Sequence, residues 1–206
     1  MTEIIHLGVY DGLTDWETGH AIAHLNDPEH QRVPGRYAVR TVGPTTAPVT
    51  TMGGVRILPD LALPDLDPEG SAMLILPGAP IWEDGGNDGM AAAAADFAAT
   101  GVPVAAICGA TLGLARAGLL DDRTHTSNGA DYLASTGYAG GDRYVEDQAA
   151  TDRGVITAGA LYPVAFASAI FELLDVYTPE VLEAWTGLFS TGDPSWFPRL
   201  MQAATA

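Results

Sequence analysis

The sequence predicts an α/β fold, a mostly parallel central sheet with helices on both faces. Three observations predict it. Apolar runs of strand length alternate with helical patterns along most of the chain. Residues 72–76 are apolar throughout, as a strand buried on both faces must be, and 102–107 reads the same way. Clusters of Gly, Pro, Asn and Asp separate the segments.

Taken in order, residues 4–10 form a first strand, ended by the Asp11-Gly12 turn. A helical pattern over 15–25 stops at Asn26-Asp27-Pro28. Residues 37–42 alternate as a second strand. Two β-prone pieces within 48–58 flank Met52-Gly53-Gly54 and predict a small hairpin. Residues 61–69, with prolines nearby, read as a loop or a short turn of helix. The strand over 72–76 runs into Pro77-Gly78-Ala79-Pro80, and an alanine-rich helix follows over 89–100. The strand over 102–107 leads directly to Cys108 and another helix. Residues 123–127 are short and β-prone, broken by Asn128-Gly129; 143–149 and 155–157 are further strand candidates. An apolar helix spans 162–174, with Pro163 in the first turn, where proline is tolerated. Helices over 179–188 and 194–204 close the chain. No linker, repeat or low-complexity tract divides it, so one domain is expected over 1–206, with a helical extension over about 178–206.

The formal net charge is −17, and all nine Lys/Arg cations are arginine. No basic stripe is present, which argues against nucleic acid and anionic membrane surfaces as partners. No apolar run approaches a membrane span. The N-terminal segment lacks a basic region and a cleavage site, and a lone cysteine suits a reducing compartment, so a cytoplasmic protein is expected. There is no G-x-G-x-x-G, Walker or C-x-x-C motif, so neither a nucleotide nor a metal or other cofactor is expected.

In open parallel sheets, sites form beyond the carboxyl ends of the strands. Cys108, the only cysteine, stands there, between a β-rich run and the small residues Gly109 and Ala110. That is the sequence form of a nucleophile elbow, a sharp strand-to-helix turn that exposes a reactive side chain. The plainer reading is a small buried hydrophobe. Glu17 follows the first strand. By spacing, Thr14-Asp15-Trp16-Glu17 fits a helix capping box, a structural role. His125 lies seventeen residues after Cys108 and could activate the thiol as a base; otherwise it is a strand-end histidine bonded to backbone. Gly78, Ala79 and Gly109 could offer backbone N–H groups to a developing oxyanion, although Gly78 also fits a plain turn. His20 and His24 share a helix face with Glu17 at metal-binding spacing, but exposed histidines so placed are common and no metal site is assigned. Packing is the default role for Trp82, Trp196 and Phe197.

The chain resembles the ThiJ/PfpI superfamily, which includes the parkinsonism-linked deglycase and is class I glutamine amidotransferase-like. Three segments carry the resemblance: Asp15-Trp16-Glu17-Thr18, Leu74-Ile75-Leu76-Pro77-Gly78-Ala79 and Ala105-Ala106-Ile107-Cys108-Gly109-Ala110. It covers about residues 3–175. It implies a flavodoxin-like three-layer sandwich, a homodimer, Cys108 as nucleophile, Glu17 as its hydrogen-bonding acid and His125 as third member. It further implies a protonated Glu17 beside an ionised Cys108, because a charged carboxylate would repel the thiolate. Departures narrow the chemistry. Gly109 replaces the histidine that follows the cysteine in the peptidase branch, and Ala79 replaces the second glycine of the turn. No His-x-Glu pair occurs late in the chain, so glutaminase activity is not expected. The expected function is a cysteine-nucleophile enzyme for a small electrophile, of hydratase, glyoxalase/deglycase or hydrolase type. The alternatives are an oxidation-sensing protein using Cys108, or a non-catalytic binding or chaperone-like module.

Overall fold

A computed structural model describes residues 2–205. Its main sheet holds seven strands, and their sequence explains their placement. In chain order, β1 is Glu3–Gly8, β2 Tyr37–Gly43, β3 Val49–Thr50, β4 Arg56–Ile57, β5 Leu61–Ala62, β6 Met73–Leu76, β7 Val104–Ile107, β8 Ala149–Asp152 and β9 Val155–Ala158. The sheet order is β5-β2-β1-β6-β7-β9-β8. Every pairing in it is parallel except β8 with β9. All four residues of β6, β7 and β9 are buried. This is why those runs are apolar without alternation. β7 begins after Pro103, whose missing N–H cannot enter the ladder; its carbonyl still accepts from Leu74 N–H at 3.0 Å.

The helices are α1 Gly19–Asn26, α2 Asp88–Thr100, α3 Ala110–Arg116, α4 Ala130–Ala134, α5 Pro163–Leu173, α6 Pro179–Thr191 and α7 Trp196–Ala203. α1 and α5 pack together over one face of the sheet, with α6 on α5 and α7 on α6; α2 and α3 cover the other face. The result is the flavodoxin-like sandwich. β3 and β4 form the separate hairpin expected around Met52-Gly53-Gly54. α7 docks through Trp196, which lies where a Cβ on Gly187 would stand at 2.4 Å.

Several boundaries differ from expectation. The first helix starts at Gly19 rather than near Asp15, because residues 11–18 form a loop bonded to the hairpin. Within 61–69, expected as a loop or a short turn of helix, Leu61–Ala62 adds β5 to the sheet edge beside β2, and short helical turns follow at Leu63–Asp65 and Pro68–Gly70. The segments 123–127 and 143–149 supply one isolated bridge, His125 to Tyr144, before β8 begins. The five-residue α4 follows the Asn128-Gly129 break, where no element was expected.

Candidate active site

β1, β6, β7 and β9 are neighbours in the sheet and parallel, so their carboxyl ends open on one edge. Each contributes a loop to the site. The thiol comes from β7. Cys108 has φ 59, a left-handed conformation that a side-chain-bearing residue rarely adopts. Such strain costs on the order of 1–2 kcal/mol and persists only where surroundings enforce it. Here they do. Cys108 N–H continues the ladder to Ala158 O at 3.0 Å, while its carbonyl accepts from Thr111 N–H at 3.1 Å and Thr111 Oγ1 at 2.6 Å. The chain thus turns from strand to helix within one residue. A Cβ on Gly109 would stand 3.1 Å from Ala79 O and 3.3 Å from Trp82 Cβ, which explains the small residue next to the thiol.

Glu17 arrives from the loop after β1. Its side chain does not cap α1, whose N-cap is Thr18 with no side-chain bond. Instead Oε2 accepts the Gly78 N–H at 2.5 Å, and Gly78 O accepts the Thr14 N–H at 2.9 Å. The first loop and the Pro77-Gly78 turn are therefore stitched together. Tyr10 OH and Trp82 Nε1 both donate to Pro77 O and hold that turn from below. The loop is also tied to the hairpin: Asp15 accepts from Thr51 Oγ1 at 2.5 Å and Gly53 N–H at 2.7 Å.

Glu17 is buried, and its Oε1 has no hydrogen-bond partner among the described residues. Burial pushes the carboxyl up to about 7, against the pull of the Gly78 N–H, Cys108 and Thr14. Burial and the Glu17 charge push the Cys108 thiol up to about 11, while Asn128 and the Gly109 N–H pull the other way. The physical content is that carboxyl and thiol cannot both be ionised near neutral pH. Between about pH 7 and about 11 the pair carries one negative charge and shares one proton.

Asn128 is the group that reaches the sulfur. Its Nδ2 donates to Cys108 Sγ at 3.4 Å, and its Oδ1 accepts the Ala160 N–H at 2.9 Å, which fixes which way the amide faces. Sequence reasoning used Asn128 only as a strand breaker. The position of a polar amide at the end of a β-prone segment was the available signal. His125, expected as the partner, is not brought to the thiol. It is fully buried, with Nδ1 bonded to Arg123 O and Nε2 to Tyr138 OH, each at 2.8 Å. The backbone bridge to Tyr144 turns its ring away from the crevice and into this pocket.

Of the three expected oxyanion donors, the Gly78 N–H is occupied by Glu17. The Ala79 N–H has no hydrogen-bond partner among the described residues, and the Gly109 N–H faces the sulfur. A cleft of about 290 Å³ beside Asn128 is lined by Ser127, Gly159, Ala160, Leu161 and Tyr162. Trp16 donates through Nε1 to Ala160 O at 3.3 Å at its rim. His20 and His24 lie elsewhere, packed with Trp185 and Phe189; Trp185 Nε1 donates to His24 Nε2 at 3.2 Å.

A thiol on an elbow, a buried carboxyl from the first loop and a Pro-Gly turn between them define a class of α/β proteins. The DJ-1/PfpI family model matches residues 4–173, and the chain belongs to that family. It is 36% identical over 203 residues to the uncharacterized protease YoaZ of Bacillus subtilis, covering 97% of each. Identity to the uncharacterized protease YdeA of the same organism is 30%, covering 85% of each. Among solved structures, a thiJ/pfpI family protein from Bacillus anthracis superposes with a TM-score of 0.92 at 36% identity, over 98% of this chain and 97% of that one. The DJ-1 superfamily protein Atu0886 of Agrobacterium tumefaciens gives 0.81 at 30% identity, over 93% and 99%. Among the described residues, no helix is long and apolar enough to cross a membrane.

Proposed function

We propose that the protein is an enzyme in which Cys108 attacks a small electrophile, such as an aldehyde, isocyanide, ester or amide, with Glu17 as proton partner. The observation that carries this reading is the buried Glu17 carboxyl set against a thiol held in a left-handed elbow. With one proton between them, the reactive arrangement has it on Glu17 and leaves the sulfur as thiolate. Two donors to the sulfur support this arrangement, against those that the Gly78 N–H and Thr14 offer the carboxylate. The sulfur has the Asn128 amide and the Gly109 N–H, whereas Oε1 of the carboxyl has no donor among the described residues. A protonated carboxyl gives that oxygen a hydrogen to share with sulfur.

For a carbonyl substrate, the sulfur lone pair forms the bond to carbon and the π pair moves to oxygen. The N–H groups of Ala79 and Gly109 are the candidates to hold this oxyanion. One such donor typically contributes about 3 kcal/mol to the transition state. For an ester, the oxyanion then collapses and expels the alkoxide, which takes the Glu17 proton and leaves a thioester on Cys108. Water attacks the thioester, the Glu17 carboxylate takes the water's proton, and collapse of the second oxyanion releases the acid and the thiolate.

The protease names of the two Bacillus subtilis relatives raise peptide hydrolysis as a competing reading. A leaving amine needs a proton, for which Glu17 is the candidate donor, whereas an aldehyde or isocyanide expels no amine. Glycine follows the cysteine here, and the ring nitrogens of His125 are bonded elsewhere. Small electrophiles therefore come first. A homodimer remains part of the proposal, as the resemblance implies.

The test is a screen of 2-oxoaldehydes, isocyanides, acyl esters and short peptides, with Cys108→Ser as control. Turnover of a small electrophile that the variant loses supports the proposal; no turnover of any class above the variant sinks it. In parallel, thiolate ultraviolet absorbance should rise near pH 7 in the wild type. A rise only near pH 11 would put the shared proton on sulfur and reverse the assignment.

A further inference from the structure

The electrostatics around the sulfur are one-sided. Among the described residues, Glu17 is the charged group with the largest effect on the Cys108 thiol. A second carboxylate stands close by. Tyr132 OH donates to Glu83 Oε1 at 3.3 Å. The same phenol bonds to Asn128 and feels the charges of both Cys108 and Glu83, which hold its ionisation far above the usual tyrosine range. Tyr132 therefore lies between the thiol and Glu83, with Asn128 as their common neighbour. Arg116 reaches this segment, but its guanidinium donates to the carbonyl oxygens of Trp82 and Glu83 rather than to the carboxylate. Among the described residues, Glu83 has no ion-pair partner. On the opposite side the approach is apolar: Trp16 is 54% exposed and Leu161 84% exposed, and the cleft next to Asn128 is floored by Gly159 and Ala160.

We propose that Glu83, held at the mouth by Tyr132, is a specificity-determining residue that excludes anionic electrophiles from Cys108, so that the substrate is an uncharged molecule carrying an apolar group. This deepens the reading of Cys108 as the reacting atom and rests on it. A carboxylate- or phosphate-bearing substrate would meet the Glu83 charge and the charge shared by Glu17 and Cys108, while the Arg116 guanidinium, the cation that reaches this segment, is bonded to the carbonyl oxygens of Trp82 and Glu83 and to neither carboxylate. Like charges within a Debye length, in a partly solvated mouth, suppress approach by about three- to tenfold each. An uncharged aldehyde, isocyanide or amide escapes this, and its apolar part has Trp16 and Leu161 to cover it.

Alkylation of Cys108 tests the selection without needing turnover. The probes are iodoacetamide and iodoacetate, uncharged and anionic versions of one reagent. Their second-order rates would be measured near pH 8 on the full-length protein and referred to the same ratio for 2-mercaptoethanol. Both reagents meet the same thiolate, so its abundance cancels in the ratio. The expected result is an excess preference for iodoacetamide that falls about three- to tenfold in Glu83→Gln and weakens in high salt. Tyr132→Phe, which keeps the charge and removes the tether, lowers it by a smaller factor. Glu69→Gln removes an equal charge at the far end of β6 and leaves the ratio unchanged. Circular dichroism confirms that each variant is folded. The proposal is overturned if Glu83→Gln keeps the wild-type ratio, if Glu69→Gln lowers it equally, or if neither reagent labels Cys108. Should the ratios behave as stated while no electrophile is turned over, charge selection stands and the enzyme reading falls. Should Cys108-dependent turnover occur while the ratios do not respond, charge selection falls and the enzyme reading stands.

Discussion

Glu17→Gln should change how stability depends on pH, and the sign follows from burial. The Glu17 carboxyl is raised from 4.5 to about 7 in the folded protein. A raised carboxyl means that the native state holds a proton the unfolded chain has released. Its contribution is therefore fully present below about pH 4.5 and is lost as pH rises through about 7. At about 1.4 kcal/mol per tenfold, the loss is about 3 kcal/mol. Glutamine keeps an acceptor for the Gly78 N–H, offers an N–H towards sulfur and does not titrate. The assay is urea unfolding followed by tryptophan fluorescence at pH 4.5 and 7.5 for both proteins. The stability difference between them should move by about 3 kcal/mol in favour of Glu17→Gln at the higher pH. Carboxylates held low by their partners, such as Asp15, Asp60 and Asp122, titrate alike in both proteins and cancel. In the wild type the Glu17–Cys108 pair gives up one proton through this window, and the stability change is the same whichever of the two atoms loses it. A difference that stays constant between the two pH values would refute the idea that Glu17 is held protonated by burial.

Two further substitutions separate site from scaffold. Gly78→Ala would bring a methyl to 2.8 Å from Cys108 Cβ and 2.9 Å from both Cys108 Sγ and Glu17 Oε2. It should abolish thiol-dependent turnover and cost about 1–3 kcal/mol in unfolding free energy, since neither neighbour can yield freely. His125→Gln should lose about 1–3 kcal/mol of stability through its buried partners Arg123 O and Tyr138 OH. Its thiol titration should match the wild type, and a displaced titration would return His125 to the site.

The sheet was legible in the sequence because burial on both faces forces unbroken apolar runs, and 72–76 and 102–107 carry that mark directly. The elbow was legible for a similar reason: a strand that meets Cys108-Gly109-Ala110 and continues as helix leaves one residue in which to turn. What could not be read was the direction of side chains in loops. The spacing Thr14-x-x-Glu17 fits a helix cap, yet the hairpin holds Asp15 and the 11–18 loop away from helical geometry and aims Glu17 at Gly78. The five residues of α4 are too few to show a period.

The sequence alone therefore determined the fold class, the position of the thiol and the loops that would surround it. These follow from local periodicity and from the identity of single residues. The tertiary structure decided which polar group touches the sulfur. Asn128 does and His125 does not, although three positions separate them. The choice depends on the His125–Tyr144 bridge and the Ala160 N–H, contacts between segments 19 and 32 residues apart. Long-range pairing of this kind leaves no mark on local sequence, and it gives the lone cysteine an amide and a carboxyl for company instead of an imidazole.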